Sequence, residues 1–298
     1  QGELDLVYVS PEKLLTDSFL NQLSQCQLSL FAIDEAHCVS QWGHDFRPEY
    51  LKLSVLKKHF THVPKLALTA TADGPTRNDI IERLQLQEGR LFVSGFDRPN
   101  IKYAIVAKDN AKDKLLKFIE DHHVGDSGII YCMSRARVES TAKWLRQEGF
   151  KALHYHAGLD KKQRQENQDQ FLKDEGIIMV ATIAFGMGID KPDVRFVAHL
   201  DLPKSLESYY QETGRAGRDG LKSNAWLAYG LEDVAKISNF IEISNAGEDQ
   251  KRVERQKLDA LLGYCETTRC RRQVLLEYFD EKLAEPCGYC DTCLEPMK

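Results

Sequence analysis

Short runs rich in Val, Ile and Leu alternate along the chain with longer stretches in which apolar residues recur every three to four positions. That alternation is the signature of βα units built around a parallel sheet. The runs predict strands at 4–9, 28–33, 65–69, 91–94, 128–132, 152–155, 176–181 and 194–200. Helical periodicity fills the gaps, for example at 112–122, 136–148 and 161–173. Most of the strand runs lack a clean polar alternation, as expected of strands covered on both faces. The pattern predicts an α/β fold.

Two breaks interrupt it. At 95–100 the sequence Gly-Phe-Asp-Arg-Pro-Asn loses periodicity and predicts a linker, after which a fresh series of strands and helices begins. After about residue 230 strand-like runs stop, helical sequence takes over and cysteines cluster. The expected division is 1–95, 96–230 and 231–298.

Composition narrows the class. The 298 residues carry 40 Lys and Arg against 45 Asp and Glu and are 42% hydrophobic, which excludes collagen-like, low-complexity and disordered chains. The most apolar stretch, 176–189, is 14 residues long, short of the ~18 that a membrane span needs, so no membrane partner is expected. The chain opens on Gln-Gly-Glu, acidic where a secretory leader is basic, and strand-like sequence follows at once. The native start is therefore expected to lie upstream. A net charge of -5 argues against a globally basic nucleic-acid binder and leaves room for local basic sites.

The run that ends at Ile33 is followed directly by Asp34-Glu-Ala-His37. Ligand chemistry in open α/β sheets sits at the carboxyl ends of strands, where one acid can hold Mg²⁺ and its neighbour can orient or deprotonate a water. Residues 38–50, CVSQWGHDFRPEY, then pack Trp42, His44, Phe46 and Arg47 into one short segment. Aromatics displayed with an arginine suit stacking on unpaired bases plus phosphate contact. The run at 67–72 closes with Thr69 and Thr71, two small hydroxyl residues suited to a hydrogen-bonding hinge.

Further along, Gln211-Glu-Thr-Gly-Arg-Ala-Gly-Arg218 places Arg215 and Arg218 three apart, on one face if the segment is helical. Guanidinium groups are well fitted to spreading charge on a transferring phosphoryl group. The segment 184–190, AFGMGID, adds Gly186, Gly188 and Asp190 after another buried strand. Arg135, Arg137 and His156 occupy loop positions from which a nucleic-acid backbone can be reached, with a structural role equally open to His156.

Five of the eight cysteines fall in the last 34 residues. With no secretory leader, reduced thiols and a metal site are expected rather than a disulfide framework. Cys287, Cys290 and Cys293 carry two-residue spacers that wrap one tetrahedral ion. Cys265 and Cys270 are both available as the fourth ligand, although on one helix they would stand about 140° apart. An iron–sulfur site is the second reading, but its motif wants a cysteine at 297, where Met297 stands. Zinc in a structural role is expected, because four thiolates leave no open position.

Taken together, DEAH at 34–37, the aromatic segment after it and LTATAD at 68–73 resemble the motifs of RecQ-family DNA helicases of superfamily 2, in their bacterial form. SPEKL at 10–14, FDRPNI at 96–101, GIIYCMSR at 128–135, YHAGL at 155–159, the 180–197 segment and SYYQETGRAGRDG at 208–220 agree in order and spacing. The resemblance spans essentially the whole chain. It implies two RecA-like parallel-sheet domains, the first incomplete, followed by a small helical zinc-binding domain. It also implies ATP, Mg²⁺ and Zn²⁺ as cofactors, 3′ to 5′ movement on single-stranded DNA, and work in recombination, repair and replication on forked or branched duplex.

By the same resemblance Asp34 holds Mg²⁺, Glu35 activates the attacking water, His37 stands among the catalytic residues, and Gln211 takes part in coupling. Arg218 is the arginine finger and Arg215 assists in nucleotide binding. Gly186, Gly188 and Asp190 sense nucleotide or DNA. Trp42, His44, Phe46, Arg47, Thr69, Thr71 and Arg135 serve DNA contact or its coupling to hydrolysis. Cys270, rather than Cys265, matches the family's fourth zinc ligand. A bacterial cytoplasmic location on nucleoid DNA and a single-stranded-DNA-binding protein as partner complete the picture.

No G-x-x-x-x-G-K-[ST] occurs in the sequence, so the loop that cradles phosphates is not in it. The family's winged-helix and C-terminal helical domains are not in it either, and an internal fragment is expected. The alternatives are a zinc-stabilised nucleic-acid-binding module without catalysis, and a DEAH-type RNA helicase.

Overall fold

The computed structural model describes residues 4–40, 46–186 and 189–296. The chain forms two compact units, Gln1–Gly95 and Phe96–Lys298.

In the first unit, β1 (Phe31–Ile33) and β2 (Lys65–Ala67) pair in parallel. Helices α1 (Pro11–Leu14), α2 (Asp17–Leu23), α3 (Pro48–Leu51), α4 (Val55–His59) and α5 (Gly74–Arg83) complete it. Helix α5 starts where the Asp73 carboxylate accepts the Thr76 N–H at 3.0 Å and a proline fills the first turn, where no amide donor is needed. Leu20, Ile33, Leu56, Phe60, Ile80 and Leu84 form its core. The runs at 4–9 and 91–94, expected as strands, are not strands. An apolar run becomes a strand only where a neighbour offers its hydrogen-bond ladder, and among the described residues of this unit only β1 and β2 pair. Tyr8 and Phe92 accordingly lie exposed.

The second unit is a six-stranded, all-parallel sheet of β3 (Ile101–Ala107), β4 (Ser127–Tyr131), β5 (Ala152–Tyr155), β6 (Ile178–Ala181), β7 (Val194–His199) and β8 (Ser223–Tyr229). The spatial order is β3-β8-β7-β4-β6-β5. Sequence patterning misses β3 and β8, whose runs are interrupted by Lys102 and Asn224 and abut motif-like segments. They pair with each other from Ile101↔Ser223 to Ala107↔Tyr229.

Alternation along the strands divides the interior. Ile129, Met179 and Val197 face one core with α9 (Leu206–Thr213), α11 (Glu248–Glu266) and α12 (Arg271–Tyr278). Ile130, Val180 and Ala198 face the other with α6 (Ala111–His122) and α7 (Arg135–Gln147). Helix α8 (Lys161–Lys173) links β5 to β6, and α10 (Leu231–Ile243) leads into α11. The helices after residue 230 thus share one core with the sheet: Leu258, Tyr264, Phe279 and Cys290 lie in the same cluster as Ile129 and Phe185.

At the carboxyl ends of β3, β4 and β7 sits a buried ionic network. Asp201 accepts from Lys108 Nζ at 2.9 Å, Arg137 Nη1 at 3.0 Å and the Met133 N–H at 2.9 Å. Lys108 also pairs with the fully buried Asp233, which accepts the Leu202 N–H at 3.2 Å. Removing Lys108 leaves the fully buried Asp233 with the Leu202 N–H and the exposed Lys236, an under-compensated buried charge. Lys108→Met is therefore expected to cost about 3–5 kcal/mol in urea unfolding, and a loss under ~1 kcal/mol would contradict this reading.

Candidate functional site

Asp34 and Glu35 follow β1 at its carboxyl end. The Leu68 N–H donates to Ile33 O at 2.9 Å and the Ala36 N–H to Leu68 O at 2.8 Å, so the two strand ends are locked where the acids stand. Glu35 has φ 50° and ψ 41°, a left-handed conformation that costs a non-glycine residue roughly 1–2 kcal/mol. Asp34 is exposed and accepts the Glu35 N–H at 2.8 Å, whereas Glu35 is half-buried. His37 is buried, with Nδ1 2.9 Å from Thr69 Oγ1 and 3.4 Å from Glu35 Oε2. The Thr69 hydroxyl in turn lies 3.3 Å from both the N–H and the carbonyl of Thr71. The acidic motif and the threonine segment are thus one hydrogen-bonded assembly through His37.

Trp42 and His44 lie outside the described residues. Phe46 and Arg47 are half-buried just ahead of α3, and the Arg47 N–H donates to Cys38 O at 2.9 Å, which ties that end of the segment back to the acidic turn.

In the second unit the arginine pair is not on one helical face. Helix α9 ends at Thr213, and Gly217 adopts φ 58°, which turns the chain away. Arg215 is buried and its Nη1 donates to Gly186 O at 2.5 Å, while the exposed Arg218 donates to Asp190 Oδ1 at 2.7 Å. A Cβ on Gly186 would meet Arg215 Nη2 at 3.2 Å, so the glycine admits the guanidinium. Gly188 lies outside the described residues. The Tyr131 hydroxyl donates to Phe185 O at 2.8 Å, and Gln211 is half-buried on α9. The segment at 184–190 and the arginine turn are therefore joined at Arg215 and Asp190.

Arg135 is exposed in the first turn of α7, packed so closely on Gly158 that a Cβ there would meet its Nη1 at 2.9 Å. Arg137 is engaged with Asp201. His156 is buried, its Nδ1 accepting the Gly158 N–H at 3.2 Å and its Nε2 lying 3.0 Å from Glu139 Oε1. Nδ1 thus holds the turn that abuts Arg135, and Nε2 ties that turn to α7 through Glu139.

The sulfurs of Cys270, Cys287, Cys290 and Cys293 lie within 4.8 Å of one another, with Cys270 and Cys290 3.9 Å apart. A tetrahedral zinc with Zn–S of ~2.3 Å asks for sulfur separations near ~3.8 Å. Backbone donors point at the sulfurs: the Cys287 N–H at Cys270 Sγ (3.3 Å), and the Tyr289 and Cys290 N–H at Cys287 Sγ (3.4 and 3.3 Å). Burial pushes the Cys290 thiol up, but hydrogen bonds involving the Thr292 hydroxyl and the N–H groups of Arg271 and Cys293 outweigh it and bring it down to about 7. This donor set fits zinc in a closed, structural site. Cys265 is outside it, buried on α11 with its thiol pushed up to about 12 by that burial.

Sequence patterning misses the residues that fasten these parts. Asp291, between two ligands on α13 (Asp291–Leu294), accepts from Arg271 Nε at 2.7 Å and from the Ile105 N–H of edge strand β3 at 2.8 Å. Arg98 and Asn100, in the segment read as a linker, bond to the arginine turn. For Arg98 and Asn100 the signal was the FDRPNI segment at 96–101, which carried the resemblance but no role, and for Asp291 it was a charged side chain between two ligands.

Residues 1–80 match the DEAD/DEAH box helicase family, 110–220 the helicase conserved C-terminal domain and 231–294 the RecQ zinc-binding family. The chain is 51% identical over its whole length to the ATP-dependent DNA helicase RecQ of Pasteurella multocida, covering 47% of that protein. It is 49% identical to that of Haemophilus influenzae, covering 48%, and 44% identical to the RecQ-like DNA helicase BLM of Xenopus laevis, covering 23%. The chain thus spans about half the length of the bacterial relatives it matches or less. Among solved structures, Saccharomyces cerevisiae Dbp5 bound to RNA and ADP BeF3 has a TM-score of 0.59 at 18% identity, over 85% of this chain and 68% of that one, which shows the fold alone. The matched segments, the whole-length identity and the four-cysteine cluster agree: the chain belongs to the RecQ helicase family.

Proposed function

We propose that this chain is part of an ATP-dependent DNA helicase that moves 3′ to 5′ on single-stranded DNA, with 1–95 and 96–230 as its two RecA-like domains and 231–298 as a zinc-bearing helical domain. The observation that carries the reading is the Asp34–Glu35 pair at the carboxyl end of β1, held in a left-handed turn and bonded through His37 to Thr69. Carboxylate oxygens suit a hard cation, and bound Mg²⁺ would offset charge on the phosphates of ATP. Asp34 would hold that ion. Glu35 takes the proton of the attacking water, Arg218 supplies guanidinium charge to the transferring phosphoryl group, and Arg215 assists in nucleotide binding or coupling. Gln211, Gly186, Gly188 and Asp190 report nucleotide state within the second domain. Trp42, His44, Phe46, Arg47, Thr69, Thr71 and Arg135 contact DNA or relay that contact.

The relatives' names, which call them DNA helicases, support DNA as the substrate; we propose recombination, repair and replication as the setting, forked or branched duplex as the DNA form, and a single-stranded-DNA-binding protein as partner. No helix among the described residues is long and apolar enough to cross a membrane. We place the protein in the bacterial cytoplasm on nucleoid DNA. Because its 298 residues contain no G-x-x-x-x-G-K-[ST], this chain by itself is expected to bind nucleic acid without turning over ATP.

The test is nucleotide choice. In a protein of the relatives' length that carries this chain, single-stranded DNA is expected to raise steady-state ATP hydrolysis at least tenfold more than single-stranded RNA of equal length, on the scale of ordinary site discrimination. Equal stimulation would favour an RNA helicase instead.

A further inference from the structure

The turn that carries Arg215 and Arg218 is held from below by two side chains that the hydrolysis reading leaves unused. Arg98 spreads its guanidinium over three carbonyls, with Nη1 to Gly214 O at 3.0 Å and Nη2 to Ala216 O at 2.9 Å and Gly217 O at 3.1 Å. Asn100 Nδ2 adds Gly217 O at 2.8 Å and Leu221 O at 2.9 Å. Five hydrogen bonds thus converge on the residues either side of Arg218. Gly217 makes the approach possible: at φ 58° a Cβ there would fall 2.5 Å from Asn100 Nδ2 and 2.7 Å from Leu221 O. The Gly217 N–H is taken by Val194 O at 2.8 Å, and Asn100 O accepts the Ser223 N–H at 2.9 Å.

Among the described residues Arg218 pairs with the exposed Asp190, and exposed ion pairs fix side chains weakly. Its direction is therefore set by its backbone, and that backbone by Arg98 and Asn100. The pair is anchored in turn. The buried Arg272 donates through Nη2 to the carbonyls of Arg98 (3.3 Å), Pro99 (3.2 Å) and Ile101 (2.8 Å). A planar fork reaches several carbonyls at once, which a lysine ammonium on a flexible stem does not.

We infer that Arg98 and Asn100 are positioning residues for Arg218, so that the stretch 96–100 is part of the hydrolytic apparatus and not a spacer. This rests on the reading of Arg218 as the transition-state arginine. A preorganised donor loses its effect when its aim shifts by about 1 Å, even with nucleotide affinity intact.

The test uses a protein of the relatives' length carrying this chain, with kcat and KM for ATP measured at saturating single-stranded DNA alongside the thermal midpoint. Arg218→Ala is expected to lower kcat about 10³-fold. Arg98→Lys and Asn100→Ala are each expected to lower kcat about tenfold or more, with KM and thermal midpoint nearly unchanged. Each double variant with Arg218→Ala is expected to be no slower than Arg218→Ala alone, because residues that act as a unit are not additive. Losses that multiply in the doubles, or wild-type kcat in both positioning variants, overturn the inference while leaving the role of Arg218 standing. Full kcat in Arg218→Ala sinks the hydrolysis reading itself. Asn100→Ala removes two bonds from a half-buried side chain, so it serves as the readout where Arg98→Lys does not fold.

Discussion

Stripping the metal from the four-cysteine site, or substituting Cys290→Ser, is expected to melt the 267–296 region and to loosen the edge of the second sheet with it. Metal binding in such sites is folding free energy, about 10–16 kcal/mol in isolated zinc-finger peptides. Here part of that is replaced by the protein core, because Cys270 and Cys290 lie in the same cluster as Leu275 and Phe279. What the core cannot replace is the loop geometry. Without the ion, a few hydrogen bonds alone hold 287–293 over Cys270, and Asp291 is expected to leave both Arg271 and the Ile105 N–H. Arg271 is buried and would keep the Tyr264 and Cys265 carbonyls and the Tyr264 ring while losing its carboxylate partner. An unpaired buried charge costs about 3–5 kcal/mol, which in a domain of this size lowers the thermal midpoint by about 10 °C or more. Hydrogen exchange gives the local readout, since the Ile105 amide should lose its protection when the metal leaves. Cys265→Ala should leave metal content unchanged. An unaltered midpoint in the metal-free protein would remove the structural role.

In a protein of the relatives' length that carries this chain, Glu35→Gln is expected to lower kcat for ATP by about 10²–10⁴, the usual worth of a general base, with little change in KM or thermal midpoint. Glutamine keeps the shape and the left-handed backbone cost of Glu35, so stability should not move. Glu35→Gly makes the complementary measurement: relief of the φ 50° conformation should raise stability by up to ~1 kcal/mol while activity is lost just as fully. A residue that lowers stability where it stands and is needed for turnover is held there for its chemistry. If Glu35→Gly folded less stably than wild type, the strain argument would fail.

The α/β class and most central strands were legible because buried parallel strands are continuous apolar runs. Residues 152–155 needed no adjustment, and 128–132 and 194–200 shifted by about one residue. Polar-interrupted strands were not legible wherever they lie: edge strand β3 carries Lys102, and interior β8 carries Asn224 and pairs with β3 only through long-range register, whereas the opposite edge strand, β5, was legible from its run. The runs at 4–9 and 91–94 show the opposite failure, since strand-like sequence lacks a partner among the described residues of its unit. The acidic pair and the thiol spacing could be read because their chemistry depends on neighbours in sequence. The arginines could be found but not oriented, because Gly217 turns the chain between them. Arg98, Asn100 and Asp291 stayed invisible for a common reason: their partners lie at least 20 residues away along the chain.

The most direct measurement is strand separation by a protein of the relatives' length that carries this chain, using one duplex with a 3′ single-stranded tail and the same duplex with a 5′ tail. The expected result is ATP-dependent unwinding of the 3′-tailed duplex, absent with a non-hydrolysable nucleotide and in Glu35→Gln, and little unwinding of the 5′-tailed one. Equal unwinding of both, or unwinding that survives Glu35→Gln, would contradict the account.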